Sequence, residues 1–334
     1  MNWDKGYSAS YYMTIVDPVT WRDIGRIETT GGSIAREYSG LRQSADVNCK
    51  GYPQAEEQWI RVYLDAKQGD TSEHIPLFTG LATSPDRNIK GTWEENSVQC
   101  FSVLKPADDV LLARGWYAPV EMPGDVLIKQ LLSPVPAPIR VEGEAPSLTE
   151  AVIAEDGETN LTMIEKILGA MGWRLYIEGD GTIVLSPYSY DPIIVFDPIE
   201  YDILETEIKV TADWYGCPNV FMAINNDMTA VARDEDEDSM LSIQNRGREV
   251  WMYENGCYLA EDETIAEYAQ RRLKEEQQYA ISASYDRRFV PEIFPGDVIQ
   301  LNFPAQSIDG AFVVESQTIE LGYGARTSEQ VIGV

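Results

Sequence analysis

The first hundred residues alternate apolar and polar side chains with a period of two, the repeat of a strand that buries one face. In "WIRVYLDA", Ile60, Val62 and Leu64 fall on one side and Arg61, Tyr63 and Asp65 on the other. Similar runs are "SYYMTIV", "RDIGRIE", "SIAREYS", "SADVNCK", "IPLFTGLAT" and "SVQCFSVL". Turn-forming clusters divide them: "TTGG", "KGYPQ", "AKQGDTSE" and "SPDRNIKG". Strands recurring every ~8–12 residues predict a sandwich or barrel over residues 1–106.

The period changes after Pro106. "KPADDVLLARGWYAP" opens a short helix, with Asp108 and Asp109 near its N-terminus, where the helix dipole favours them. "MPGDVLIKQLLSP" has Val126, Leu127, Gln130 and Leu131 at helical spacing and a stop at Pro134. In "ETNLTMIEKILGAMG", Thr159 or Asn160 caps a helix whose apolar stripe is Ile164, Ile167, Leu168 and Met171. "WRLYIEGDGTIVLSP" then reads as a hairpin turning at Gly179-Asp180-Gly181. Residues 107–198 are therefore expected to form an α+β insert.

From Ile199 strand character returns. "YDILETEIKVTADW" alternates through Ile203, Thr206, Ile208 and Val210 with one irregularity. "NVFMAINNDMTAVARDED" and "SMLSIQNRGREVWM" predict two strands joined by an acidic hairpin. A helix follows at about 260–278, with Ile265, Tyr268, Ala269 and Leu273 on one face. "YAISASYDRRF", "DVIQLNF" and "GAFVVESQTIEL" complete a second β domain over 199–334. Between the first two of these, Pro291 and Pro295 fix φ and remove backbone donors, and Gly296-Asp297 permits a tight turn. This rigid corner redirects the chain into its closing strands. The fold class expected is mainly β with an α+β insert.

Charge changes the picture more than composition does. The 334 residues carry 26 basic and 55 acidic side chains, a net charge of −29. Such a field repels nucleic acid and anionic membranes. It serves solubility, or a surface that must sit near DNA without gripping it. No run reaches the ~20 apolar residues of a membrane span, and "MNWDKGYSASYY" lacks the pattern of a secretory signal. Cys49, Cys100, Cys217 and Cys257 form no CxxC and read as buried free thiols, although sequence leaves a disulfide open.

Candidate chemistry is sparse. His74 is the only histidine, so Ser-His-Asp or Cys-His catalysis would have to run through it, and "SEHIPLFTG" has no nucleophile signature. Neither GxxxxGK[ST] nor GxGxxG occurs. "RDEDEDSM" fails as a calcium loop: counted from Asp234, the required glycine and glutamate positions hold Ser239 and Asn245. Paired carboxylates for a glycosidase remain possible among so many acids, but no stretch singles out two. No cofactor or metal is expected.

The ordered set "SIQNRGREVWM", then "AEYAQRRLKEEQ", then "FVPEIFPGDVIQL" resembles the tail hub, or baseplate hub, proteins of long-tailed bacteriophages, relatives of the hub part of type VI secretion spike proteins. The likeness covers about residues 200–334; the first half agrees in architecture. It implies two tail-tube-like β-barrels interrupted by the insert, and a homotrimer whose six barrels form a pseudo-sixfold ring. That ring would adapt the tail tube or a distal tail protein to a central spike or tip, and pass tape measure protein and DNA without specific binding. It implies a virion location after assembly in the host cytoplasm, no membrane insertion and no catalysis. The chain is expected to end with its last strand at Val334, with no hydrolase appended. Glu205, Glu207 and Asp213 are the candidate channel-facing acids. The alternatives are a cell-wall hydrolase using paired carboxylates and a host-glycan-binding tail-tip adhesin.

Overall fold

Six strands close on one another within the first hundred residues: β1 (Ser8–Val16), β2 (Asp23–Glu37), β3 (Gln43–Cys49), β4 (Gln58–Gln68), β5 (Thr71–Lys90) and β6 (Trp93–Ser102). The computed structural model describes residues 1–333 apart from 4, 52–56, 92, 197–203, 213, 226–227, 258, 260–262, 279–280 and 304–307. Antiparallel pairing runs β1-β4-β5-β6-β3-β2, and β2 returns to β1, so the ring is a closed barrel. Met13, Ile34, Val47, Ile60, Val62, Leu64, Leu77, Phe78 and Val98 fill it and are fully buried. Ile60, Val62 and Leu64 thus lie on the inner face that their alternation assigns.

Two turns expected in this half are strand instead. "TTGG" lies inside the continuous β2, which bulges between Thr29 and Gly31. Gly32 sits at φ 136°, and a Cβ there would lie 2.1 Å from the Asp46 carbonyl oxygen of β3. Gly32 permits a close approach between strands rather than a chain reversal. "SPDRNIKG" likewise continues β5, which pairs with β6 as far as Lys90. Polar, turn-forming residues there mark the exposed end of a long hairpin.

The insert has its own core. It contains α1 (Lys105–Asp108), β7 (Tyr117–Ala118), α2 (Gly124–Leu131), β8 (Ile139–Val141), β9 (Val152–Ile153), α3 (Asn160–Met171), β10 (Trp173–Ile177) and β11 (Ile183–Pro187). Thr159 accepts from the Thr162 amide and Thr162 reciprocates, a capping box; Gly172 ends α3 in the left-handed region. Leu127, Ile128 and Leu131 of α2 join Ile164, Ile167 and Leu168 of α3 against Leu175, Ile177 and Leu185 of the β10-β11-β8 sheet.

The remaining elements are β12 (Ile194–Phe196), β13 (Leu204–Ala212), β14 (Val220–Asn225), β15 (Met228–Arg233), α4 (Ile243–Arg246), β16 (Trp251–Asn255), α5 (Ile265–Gln278), β17 (Ile281–Arg287), β18 (Val298–Phe303), β19 (Ile308–Glu320) and β20 (Thr327–Gly333). A second set of six strands runs β12-β18-β19-β20-β17-β13. Its β19 pairs with β2, so barrel and second set form one continuous twelve-stranded sheet. Strand β12 pairs in parallel with β18, which ties the chain just before 199 to the C-terminal set. Strands β14, β15 and β16 form a separate three-stranded sheet, against which α5 packs Tyr268, Ala269 and Leu273 on Phe221, Ala223 and Ala232. The first residues of the helix expected at 260–278 lie outside the described residues.

The acidic run is no hairpin tip. β15 pairs with β14 directly, and the acids lie in the loop that follows, leading to α4. Asp234 is buried there: Ser239 Oγ and Gln277 Nε2 donate to its carboxylate at 2.6 and 2.9 Å. Short Asp and Ser side chains capture nearby backbone amides and organise a loop where strand was expected. All four cysteines are buried, and Cys49, Cys100 and Cys257 form no disulfide. Among the described residues no helix is long and apolar enough to cross a membrane.

Candidate functional site

The proline corner lies where barrel, insert and C-terminal sheet meet. Strand β17 ends at Arg287 and β18 starts at Val298, so the segment between them makes the turn. Asp297 is buried; it accepts from the Phe294 amide at 2.7 Å and from Arg174 Nη2 of β10 at 2.8 Å. Burial pushes its carboxyl above the usual aspartate range, against the pull of Arg174. Gly296 has φ 89°, and a Cβ there would stand 3.0 Å from the Tyr38 ring and 3.1 Å from Arg174. Its amide donates to the Val314 carbonyl at 2.7 Å, tying the corner to β19. Pro295 is buried and Pro291 half-buried. Two further contacts hold the insert to the barrel: Arg42 grips Glu165 of α3 through both carboxylate oxygens at 2.8 Å, and the Asp180 carbonyl accepts from Trp21 and Arg61.

A polar ladder runs through the interior beside this corner. Tyr285, Glu329, Gln317, Arg36 and Gln43 are successive cross-strand neighbours from β17 through β20, β19 and β2 to β3, and all five are buried. Glu329 is its centre, accepting from Tyr285 at 2.6 Å, Gln317 at 2.6 Å, and Arg287 at 2.6 and 3.0 Å. Burial pushes the Glu329 carboxyl up, but Arg287 and these hydrogen bonds outweigh it and hold the group below the usual glutamate range. The same burial, with Glu329 adjacent, pushes the Tyr285 phenol well up.

The opposite face of these strands is open to solvent. Lys209, Ser284, Gln330, Ser316 and Glu37 form one cross-strand row from β13 to β2. Asp286, Ser328, Thr318, Ala35 and Ser44 form the next, and Glu320, Ser33, Asp46 and Gln99 a third. Over β13, β17, β19 and β20 this face is a shallow groove of about 460 Å³. Arg326 and Ser328 hydrogen-bond Asp286 and, against its partial burial, hold its carboxyl below the usual aspartate range. Small hydroxyls, one amide, acids and Lys209 line the groove, and among the described residues no group of metal-ligating side chains converges there.

The candidate acids have different fates. Glu207 is exposed and lines the groove beside Lys209. Glu205 belongs to β13, but its side chain lies outside the described residues, as does Asp213. The corner residues Pro295, Gly296 and Asp297 are brought together, at the junction and away from the groove face. His74 is exposed, with Nδ1 2.5 Å from Asp65 Oδ1. The groove residues of β17, β19 and β20 escaped the sequence reading, although "SASYD", "SQTIE" and "TSEQV" carry the signal. A polar residue recurs there at every second position, with polar residues also at some inner positions.

No family model matches the chain, and no curated protein matches it. Solved structures do. The tail protein from Neisseria meningitidis aligns over 98% of this chain and 97% of its own, with a TM-score of 0.71 at 14% identity. The 43 kDa tail protein of prophage MuSo2 from Shewanella oneidensis aligns over 98% of both chains, with a TM-score of 0.68 at 13% identity. An E. coli component of the type VI secretion system, described as structurally similar to the T4 bacteriophage tail proteins gp27 and gp5, aligns over 92% of this chain and 74% of its own, with a TM-score of 0.51 at 9% identity. The mainly β fold of this chain is thus the fold of phage tail proteins, shared with a type VI secretion component.

Proposed function

We propose that the chain is a tail hub or baseplate hub protein of a phage virion, assembled in the host cytoplasm. In this reading it is a structural homotrimer. Each copy contributes the barrel over 1–106 and the β domain over 199–334, giving six barrel-like units around a channel. The ring joins the tail tube or a distal tail protein to a central spike or tip, and tape measure protein and DNA pass through it. The observation that carries the reading is the solvent-facing polar surface that crosses from β13 to β3 without a break at β19–β2. The wall is of hydroxyls and acids with one lysine, Lys209, and its acidic groups repel a DNA backbone over about 8–10 Å in physiological salt. The insert's α1–α3 and β7–β11 lie outside the twelve-stranded sheet, and in this reading they contact a neighbouring tail component.

The hydrolase reading needs an acid with a raised pKa in an apolar-walled cleft. Among the described residues, Glu165 and Asp297, whose carboxyls burial holds above their usual range, are each clamped by an arginine at the junction. That geometry favours a structural role, and we read the chain as no enzyme. Light scattering over a concentration series tests the assembly. Masses near three times 37.5 kDa, alone or on adding tail-tube protein, are expected. A monomer throughout, together with cell-wall clearing abolished by one carboxylate change, would overturn the reading.

A further inference from the structure

The interior ladder ends at a small cavity of about 10 Å³ where barrel, insert and corner meet, walled by Tyr176, Phe294 and Pro295, with exposed Glu37 at its margin. Three buried polar side chains line it. Arg36, 2% exposed, donates Nη2 to the Leu77 carbonyl at 2.7 Å, while its Nε and Nη1 have no hydrogen-bond partner. Arg42 commits Nη2 to Glu165, and its Nε is unpartnered. Gln43 donates Nε2 to the Ile177 carbonyl at 2.6 Å, which leaves its Oε1 as an unpartnered acceptor. An orphaned buried donor or acceptor costs about 1–3 kcal/mol, more for a charged group.

We propose that this cavity is a binding site for one internal water, which accepts hydrogen bonds from Arg36 and Arg42 and donates one to Gln43. The volume matches about one probe sphere, the least that holds a water, and three polar partners are what a buried water ordinarily finds. The charge of Arg36 would also attract a small anion. Gln43 decides between them: its Nε2 is fixed by the Ile177 carbonyl, so Oε1 faces the cavity and needs a donor, which a halide cannot supply. The water completes the ladder that starts at Tyr285 by linking Arg36 of β2 to Gln43 of β3, which itself bonds Ile177 of the insert strand β10.

A crystal structure of the full chain, from crystals soaked in bromide and measured at the bromine edge, tests this. The expected result is a density peak within hydrogen-bond distance of Arg36, Arg42 and Gln43 that carries no bromine anomalous signal. The same peak should be lost in Gln43→Leu. A bromine signal would overturn the proposal in favour of an anion site, and a cavity without density would overturn it outright.

Discussion

The N-terminal barrel and the C-terminal six strands are built from equal numbers of strands and hold together by different means. The barrel closes on itself, and its centre is apolar, with Met13, Ile60, Leu64 and Phe78 fully buried. The C-terminal set has an apolar core too, in Phe196, Ile299, Leu301, Val314 and Val331, but buries the Arg287–Glu329 ion pair beside it. Nondirectional burial suffices where the sheet closes. Where a second sheet must join a barrel at one fixed register, buried polar side chains stand opposite each other across the seam, Gln317 of β19 facing Arg36 of β2. A one-residue slip at β19–β2 would turn Gln317 and Arg36 to solvent and Ser316 and Glu37 inward. The ladder thus specifies the seam, and the seam keeps the polar outer face continuous.

The largest break in this comparison is Glu329→Ala. Removing one partner of a buried ion pair costs about 3–5 kcal/mol, because Arg287 is left uncompensated. Denaturant unfolding should show that loss. Because β19 pairs with β2, one cooperative transition is expected by both tryptophan fluorescence and far-ultraviolet circular dichroism. Two separated transitions would show that the halves fold independently. Ile60→Ala in the barrel should cost about 2–5 kcal/mol, from lost burial plus the cavity it leaves. It differs from Glu329→Ala in leaving the acid stability profile unchanged.

That profile sharpens the contrast. A carboxyl held below its unfolded value contributes stability above the ordinary glutamate range, lost as pH falls through the folded value. Glu329 has this depressed value. Thermal stability should therefore fall as pH drops below about 4, and Glu329→Gln should flatten that fall while lowering stability at neutral pH. Gly296→Ala comes next, at about 1–3 kcal/mol, since it combines a left-handed φ with contacts at 3.0–3.1 Å. Glu207→Gln on the groove should change stability by no more than about 0.5 kcal/mol, as expected of an exposed position. Any larger effect would show that the groove face is structural.

How far the sequence discloses this architecture depends on what each segment's neighbours add. Alternation in "WIRVYLDA" and the capped stripe from Thr159 to Met171 are local signals, and both elements form as they predict. Glycine misleads at Gly31-Gly32, because the need for a small residue at Gly32 arises from β3 passing close by, which no local pattern encodes. Alternation alone assigns the three-stranded sheet under α5 to the second β domain, since its strands alternate as barrel strands do. The corner at Pro291–Asp297 is legible as a turn, while its grip on Arg174 is a contact across 123 positions. The groove is not legible locally, because Ser284, Thr318 and Ser328 read singly as ordinary strand residues. Only the register that places them side by side makes a surface.

The central claim is that this surface lines a channel at the centre of a threefold ring. Electron cryo-microscopy of the purified chain, with tail-tube protein added if needed to drive assembly, tests it most directly. The account predicts a trimeric ring in which Glu207, Ser284, Thr318 and Ser328 face the central opening. A ring with those residues on its outer rim, or no ring under any of these conditions, would contradict it.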